Sequence, residues 1–124
     1  MKVVDSSAWL EYLQGTARAR LFQPALVRMD DVLVPTLVLY EVHRVLAGKG
    51  LEEAADAAFA MMSRARISDL TAEVAWQASR CARRHRLAMA DAIIYATAVQ
   101  HEAQLWTQDR HFEGLPGVRF FAKD

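Results

Sequence analysis

The sequence predicts an α/β fold, a single domain over residues 1–124 with a parallel β-sheet flanked by helices in an α/β/α sandwich. Three observations carry this. Short runs rich in β-branched or large apolar residues, at 2–4, 32–34, 66–70, 105–107 and 118–121, alternate with longer segments of helical apolar spacing. The runs are mostly apolar throughout rather than alternating, as strands covered on both faces are. Finally, 124 residues with 53% apolar content form one folded domain, able to bury roughly two thirds of the surface its unfolded chain exposes.

Taken in order, Lys2–Val4 is a strand ending at Asp5, and Ser6-Ser7 suits a helix start. Residues 8–14 carry helical spacing at Trp9, Leu10 and Leu13, with Gly15 as the stop. Residues 16–29 read as a second helix, interrupted or started by Pro24. A strand over 32–34 ends at Pro35-Thr36, with Thr36 as the cap of a helix through Ala47. Gly48 and Gly50 close that helix, and 51–64 forms an Ala-rich one. A strand over 66–70 leads to a helix that opens at Thr71–Glu73 and runs to about Arg86. Residues 89–102 are helical, and the strands at 105–107 and 118–121 flank a turn over 114–117.

Bulk properties narrow the function. Fifteen basic residues balance fifteen acidic ones, so a nucleic-acid site must be a local basic patch on a neutral body. The single cysteine, Cys81, allows no intramolecular disulfide and fits a reducing cytoplasm. The start, MKVVDSSAWLEYL, lacks the charged, apolar and cleavage regions of a signal peptide. No stretch reaches the roughly 18 apolar residues of a membrane helix. The expectation is a cytoplasmic protein with no membrane contact.

Four acids break the apolar pattern. Asp91 stands in AMADAIIY, where on a helix its neighbours three and four positions away are Leu87, Ala88, Ile94 and Tyr95. Glu41 interrupts TLVLYEVHRVLA in the same way, beside Leu37, Val38 and Val45. Asp5 and Asp109 each follow a strand, at the carboxyl edge where open parallel sheets bind ligands. If the four converge, two such charges about 4 Å apart repel by roughly 4 kcal/mol at an effective dielectric of about 20. A hard divalent cation relieves this, because Mg²⁺ and Mn²⁺ take oxygen ligands. Structural alternatives exist for each acid: Asp5 and Asp91 as helix caps, Asp109 as a loop acid, Glu41 paired with Arg44 or turned outward. Their joint placement favours one site.

The segments VVDSSAWLEYL, PTLVLYEVHRVL, RLAMADAIIYATA and LWTQDRHF, in this order across essentially the whole chain, resemble the PIN-domain nucleases and, within them, the VapC-type toxins of bacterial toxin–antitoxin pairs. The resemblance implies a homodimeric, Mg²⁺- or Mn²⁺-dependent endoribonuclease that cuts RNA such as tRNA or rRNA and is neutralised by a VapB-type antitoxin. The motif acids map to Asp5, Glu41, Asp91 and Asp109, and Ser7 and Thr107 fall where the family has small polar residues that support them. A metal on Asp5, Asp91 and either Glu41 or Asp109 would activate water for in-line attack, leaving a 5′-phosphate and a 3′-hydroxyl. PIN domains of RNA processing and decay share these acids, but the small size here favours the toxin reading.

Other features are less directive. The run RRHR at 83–86 is the best basic patch; it reads either as a solvated helix end or as a phosphate contact, with Arg86 the residue closest to the acids and Arg64 and Arg66 on a rim. His43, His85, His101 and His111 show no zinc-ligand spacing, and Cys81 with His85 is an isolated pair. The AFAMM segment at 58–62 reads as core or as an antitoxin or dimer surface. A phosphorelay receiver domain fits by length, but Asp30-Asp31 precedes a strand, Lys49 follows a helix and the late lysine is the penultimate Lys123. An aspartyl phosphotransferase needs an acid where Ser7 stands. A non-catalytic binding module, its acids merely capping helices, is the remaining alternative.

Overall fold

The computed structural model describes residues 1–123; Asp124, the last residue of the predicted domain, lies outside them. Five parallel strands, β1 (Lys2–Val4), β2 (Leu33–Pro35), β3 (Arg66–Ser68), β4 (Gln104–Thr107) and β5 (Val118–Phe120), are covered by α1 (Ser6–Gln14), α2 (Ala19–Leu26), α3 (Thr36–Gly48), α4 (Glu52–Met62), α5 (Ala72–His85) and α6 (Met89–Gln100). Strands β1, β4 and β5 form one sheet and β2 and β3 another. A single parallel bridge between Lys2 and Val32 joins them, so the spatial order is β3-β2-β1-β4-β5. The chain thus builds outward from β1 on one side, then returns to its other side with β4. That reversal makes the β1/β4 boundary the topological switch point, the usual ligand crevice of an open parallel sheet.

The register carries the crevice residues into place. Val3 pairs with Leu105 and Val4 with Trp106, and the Asp5 amide still donates to the Trp106 carbonyl at 3.2 Å. Asp5 therefore leaves β1 level with Thr107. The strands are short, so stability comes from what covers them. Val3, Val4, Val32, Val34 and Leu105 are buried in the sheet, and Trp9, Phe22, Phe112 and Ile94 cover it, each worth roughly 1.5–3 kcal/mol on burial. The helices pack in sequential pairs, α1 with α2, α3 with α4 and α5 with α6. Helix α6 is the most enclosed: Ala92 and Ile94 through Ala98 are buried.

Local chemistry sets most boundaries. Gly15 ends α1 in the left-handed conformation at φ 63°, its amide bonded to the Glu11 and Tyr12 carbonyls. Thr71 caps α5 by accepting from the Val74 amide. Other boundaries differ from expectation. Thr36 is the first residue of α3 rather than its cap, because Pro35 takes the cap position while still closing β2. Pro24 lies inside α2, in its last turn, instead of starting or breaking the helix. The strand expected over 66–70 stops at Ser68. No helix among the described residues is long and apolar enough to cross a membrane. Replacing Gly15 by Ala should lower stability by about 1 kcal/mol, measurable by urea denaturation, because a Cβ is strained at that φ.

Candidate functional site

Asp5 comes first, because it is the acid the fold encloses most tightly, at 4% exposure. One carboxylate oxygen accepts from the Ala8 amide at 3.0 Å and the Ser7 hydroxyl at 3.3 Å. The other accepts from the Thr107 hydroxyl. That hydroxyl oxygen in turn accepts from the Asp109 amide at 3.0 Å. A single side chain on β4 therefore ties the acid after β1 to the acid after β4. Ser7 and Thr107 support Asp5 in the manner expected.

Asp91 is the third residue of α6, whose cap is Ala88 with no side-chain bond. Its predicted neighbours Leu87 and Ala88 lie before the helix, not on its face. The capping explanation for Asp91 fails, since among the described residues no backbone amide donates to it. Its nearest basic group is the His111 imidazole, whose Nδ1 lies 3.5 Å from Asp91 Oδ2 and 3.1 Å from Asp109 Oδ1. Asp109 also accepts from the His111 amide at 2.9 Å, which folds the turn after β4 back toward α6. Glu41 neither pairs with Arg44 nor faces outward fully; it is half-buried and accepts from Ser6 on α1 at 3.0 Å.

The charges converge electrostatically. Burial pushes the Asp5 carboxyl up from its ordinary 3.8 to about 6, against the lowering effect of the Thr107 and Ala8 bonds and with the help of the Asp109 charge. Asp91 is also raised, first by desolvation, then by the Asp109 and Glu41 charges, with His111 opposing them. Asp109 thus acts on both Asp5 and Asp91, and Glu41 acts on Asp91. Asp91, Asp109 and His111 each bring one ligand atom within 4.8 Å of the others. Mostly oxygen donors with mutual repulsion to relieve, these residues fit a hard divalent cation of the Mg²⁺ or Mn²⁺ type.

Two features escaped the sequence. His111 has no zinc-ligand spacing with the other histidines, and its one signal is its place two residues after Asp109 within one turn. The second is a strut beneath the site. Arg18 donates to Gln108 Oε1 at 2.6 Å and to the Phe121 carbonyl at 3.0 Å, while the buried Gln108 amide donates to Glu11 at 3.0 Å and Ser7 at 3.5 Å. Arg86, by contrast, is exposed at the end of α5, left-handed at φ 56°. It forms no ion pair with any of the four acids among the described residues.

Two substitutions test this electrostatic account. Without metal, Asp91→Asn should leave the fold as stable or more stable in chemical denaturation, because it relieves repulsion; a loss of several kcal/mol would make Asp91 a structural partner. Asp5→Asn keeps a side chain that caps as well as Asp and removes a charge the fold disfavours. Because the folded carboxyl titrates at about 6 against 3.8, the neutral form's advantage is fully present below 3.8 and lost as pH rises through 6. The stability advantage of Asp5→Asn over the unsubstituted chain should therefore grow as pH rises, by about 3 kcal/mol between pH 3.8 and 6; an advantage independent of pH would contradict the assigned cause.

The PIN domain family model matches residues 2–118. No curated protein matches the sequence significantly. Among solved structures, a chain of a toxin–antitoxin complex from Klebsiella pneumoniae superposes with a TM-score of 0.84 at 22% identity, covering 99% of this chain and 100% of that one. VapC20 of Mycobacterium tuberculosis, a Sarcin-Ricin loop cleaving toxin, gives 0.78 at 25% identity over 95% and 97% of the two chains. A chain of DNA-bound VapBC from Salmonella typhimurium gives 0.75 at 15% identity over 98% and 96%. With its family model spanning nearly the whole chain, and with the acid crevice at the switch point, this protein belongs to the PIN domain family.

Proposed function

We propose that this protein is a Mg²⁺- or Mn²⁺-dependent endoribonuclease of the VapC type, a toxin held in check by a VapB-type antitoxin. The observation that carries the reading is Asp91: a carboxylate on the first turn of α6, satisfied by no amide and set against Asp109 and His111. Such a group is costly in a merely structural role. The binding-module alternative accounts for Asp5 and Asp109, which do cap α1 and the turn at Arg110–Phe112, but not for Asp91 or for the Glu41 charge beside it.

In this reading Asp5, Glu41, Asp91 and Asp109 hold the cation, and His111 completes the rim. A bound divalent cation supplies a Lewis acid for the phosphodiester oxygen and a more acidic water for attack. The residues of the chain do the positioning. Thr107 holds Asp5 and the Asp109 backbone in one geometry, Ser6 fixes Glu41, and the His111 imidazole spans Asp91 and Asp109. Deprotonation of Asp5 and Asp91, both raised, makes cation binding strengthen as pH rises through the Asp5 value of about 6.

The substrate class rests on the relatives. VapC20 is a toxin that cleaves the Sarcin-Ricin loop, which supports a structured ribosomal or transfer RNA as the target. The antitoxin rests on the same ground, since several structural neighbours are toxin–antitoxin complexes. The AFAMM segment is divided: Ala58 and Met62 are core, while Met61 lines an apolar groove of about 520 Å³ with Leu13, Leu46, Leu51 and Ala57. That groove is the surface offered to an apolar antitoxin segment. A homodimer remains part of the proposal.

The test is incubation of the purified protein with total bacterial RNA plus Mn²⁺ or Mg²⁺, with chelator, and beside Asp91→Asn. Discrete metal-dependent cuts bearing 5′-phosphates, absent from the chelated and substituted samples, are expected. No cutting together with no calorimetric Mn²⁺ binding would overturn the nuclease reading in favour of a binding module.

A further inference from the structure

A large cleft lies away from the acids. It measures about 960 Å³ and opens between α5 and the carboxyl half of α6, beyond the amino ends of β4 and β5, where Gln104 and Gly117 line it. Arg80, Arg83 and Arg84 line it with His85, and the one carboxylate in its wall is Glu102. None of the three arginines forms an ion pair among the described residues. In a chain of zero net charge, this is a concentration of unneutralised positive charge in a concave site, the arrangement that collects anions.

Two further features specify the anion. Trp76 stands 59% exposed on α5, with the Arg80 guanidinium 4.9 Å from its ring centroid. An exposed indole beside a basic cleft offers a stacking face for a base next to contacts for its phosphates, the pairing used by single-strand binders. The cleft is also in line with the acids. Asp91, Tyr95 and Ala98 recur on one face of α6, and Tyr95 and Ala98 line the cleft. Seven residues of helix separate Asp91 from Ala98, about 10 Å along the axis. That distance corresponds to about three nucleotides at 3.4 Å per stacked residue.

We infer that this cleft is an exosite for single-stranded RNA, in which Arg80, Arg83 and Arg84 take backbone phosphates of the segment flanking the cut and Trp76 stacks on a base. The inference rests on the nuclease reading above and deepens it: the acids cut, while the far cleft selects substrates long enough to reach it. It also reassigns the basic run, since Arg83 and Arg84 rather than Arg86 face the built cleft.

The test uses the full chain carrying Asp91→Asn, so that RNA is bound but not cut, and reads fluorescence anisotropy of two labelled probes with Mg²⁺ present. One is a trinucleotide; the other is an oligonucleotide of about ten residues, long enough at 3.4 Å each to span both sites. Adding Arg80→Gln and Arg84→Gln should weaken the long probe several-fold, lower its salt slope by about 1.4 for two lost single-strand phosphate contacts, and leave the trinucleotide unchanged. Trp76→Ala should weaken the long probe without altering the slope. Arg20→Gln with Arg28→Gln, which removes the same charge from exposed positions elsewhere, should change little. Equal loss in that control would reduce the cleft to general charge steering and overturn the inference. So would an unchanged long-probe affinity in the cleft variant, or a change in its solution mass by light scattering, which would make the cleft an interface between copies. Failure of the nuclease reading is separately visible, as absence of metal-dependent cutting by the unsubstituted chain.

Discussion

The Asp5 carboxylate and the Thr107 hydroxyl form the contact on which the rest of the molecule depends. Parallel strands β1 and β4 lie side by side although a hundred residues separate them in sequence, and their ladder places Asp5 level with Thr107. A buried charge there would be prohibitive alone. It is tolerated because three donors, from Ala8, Ser7 and Thr107, converge on it. The same Thr107 oxygen then accepts from the Asp109 amide, so fold and site share one hydrogen-bonded knot. Loosening it would separate the first acid from the last and unfasten the start of α1 as well.

Around this knot the acids divide into two kinds. Asp5 and Asp109 have structural work, each capping a helical turn, and their carboxylates are partly committed to backbone amides. Asp91 and Glu41 are held by side chains alone, His111 in one case and Ser6 in the other. This division gives the crevice both rigidity and available lone pairs. Desolvation raises Asp5 and Asp91 further, so these are the positions where the charged carboxylates cost the fold most.

Support for the crevice reaches well beyond its lining. The Arg18–Gln108–Glu11 strut joins the start of α2, the turn after β4 and α1 through the buried Gln108 side chain. Its arginine also holds the Phe121 carbonyl beyond β5. Because Gln108 sits between Thr107 and Asp109 in sequence, the strut controls the path of the very turn that delivers Asp109 and His111. A positioned turn of this kind is what a metal-type site requires, since ligands must be held before the cation arrives.

The sequence by itself determined the element types and the identity of the acids. Short apolar runs bounded by turn residues read as strands, and an acid on an apolar helical stripe is conspicuous by its cost, so Asp91 and Glu41 were legible without a structure. Gly15 and Thr71 were legible as stop and cap for equally local reasons. The tertiary structure alone decided strand order, because hydrogen-bonded pairing between β1 and β4 leaves no trace in local spacing. It decided that Asp91 is no cap, that His111 faces two acids, and that Arg83 and Arg84 line a cleft while Arg86 does not meet the acids. These depend on which way a side chain leaves a turn or a helix end. That direction is set by contacts between segments far apart in the chain, and periodicity within one segment cannot encode it.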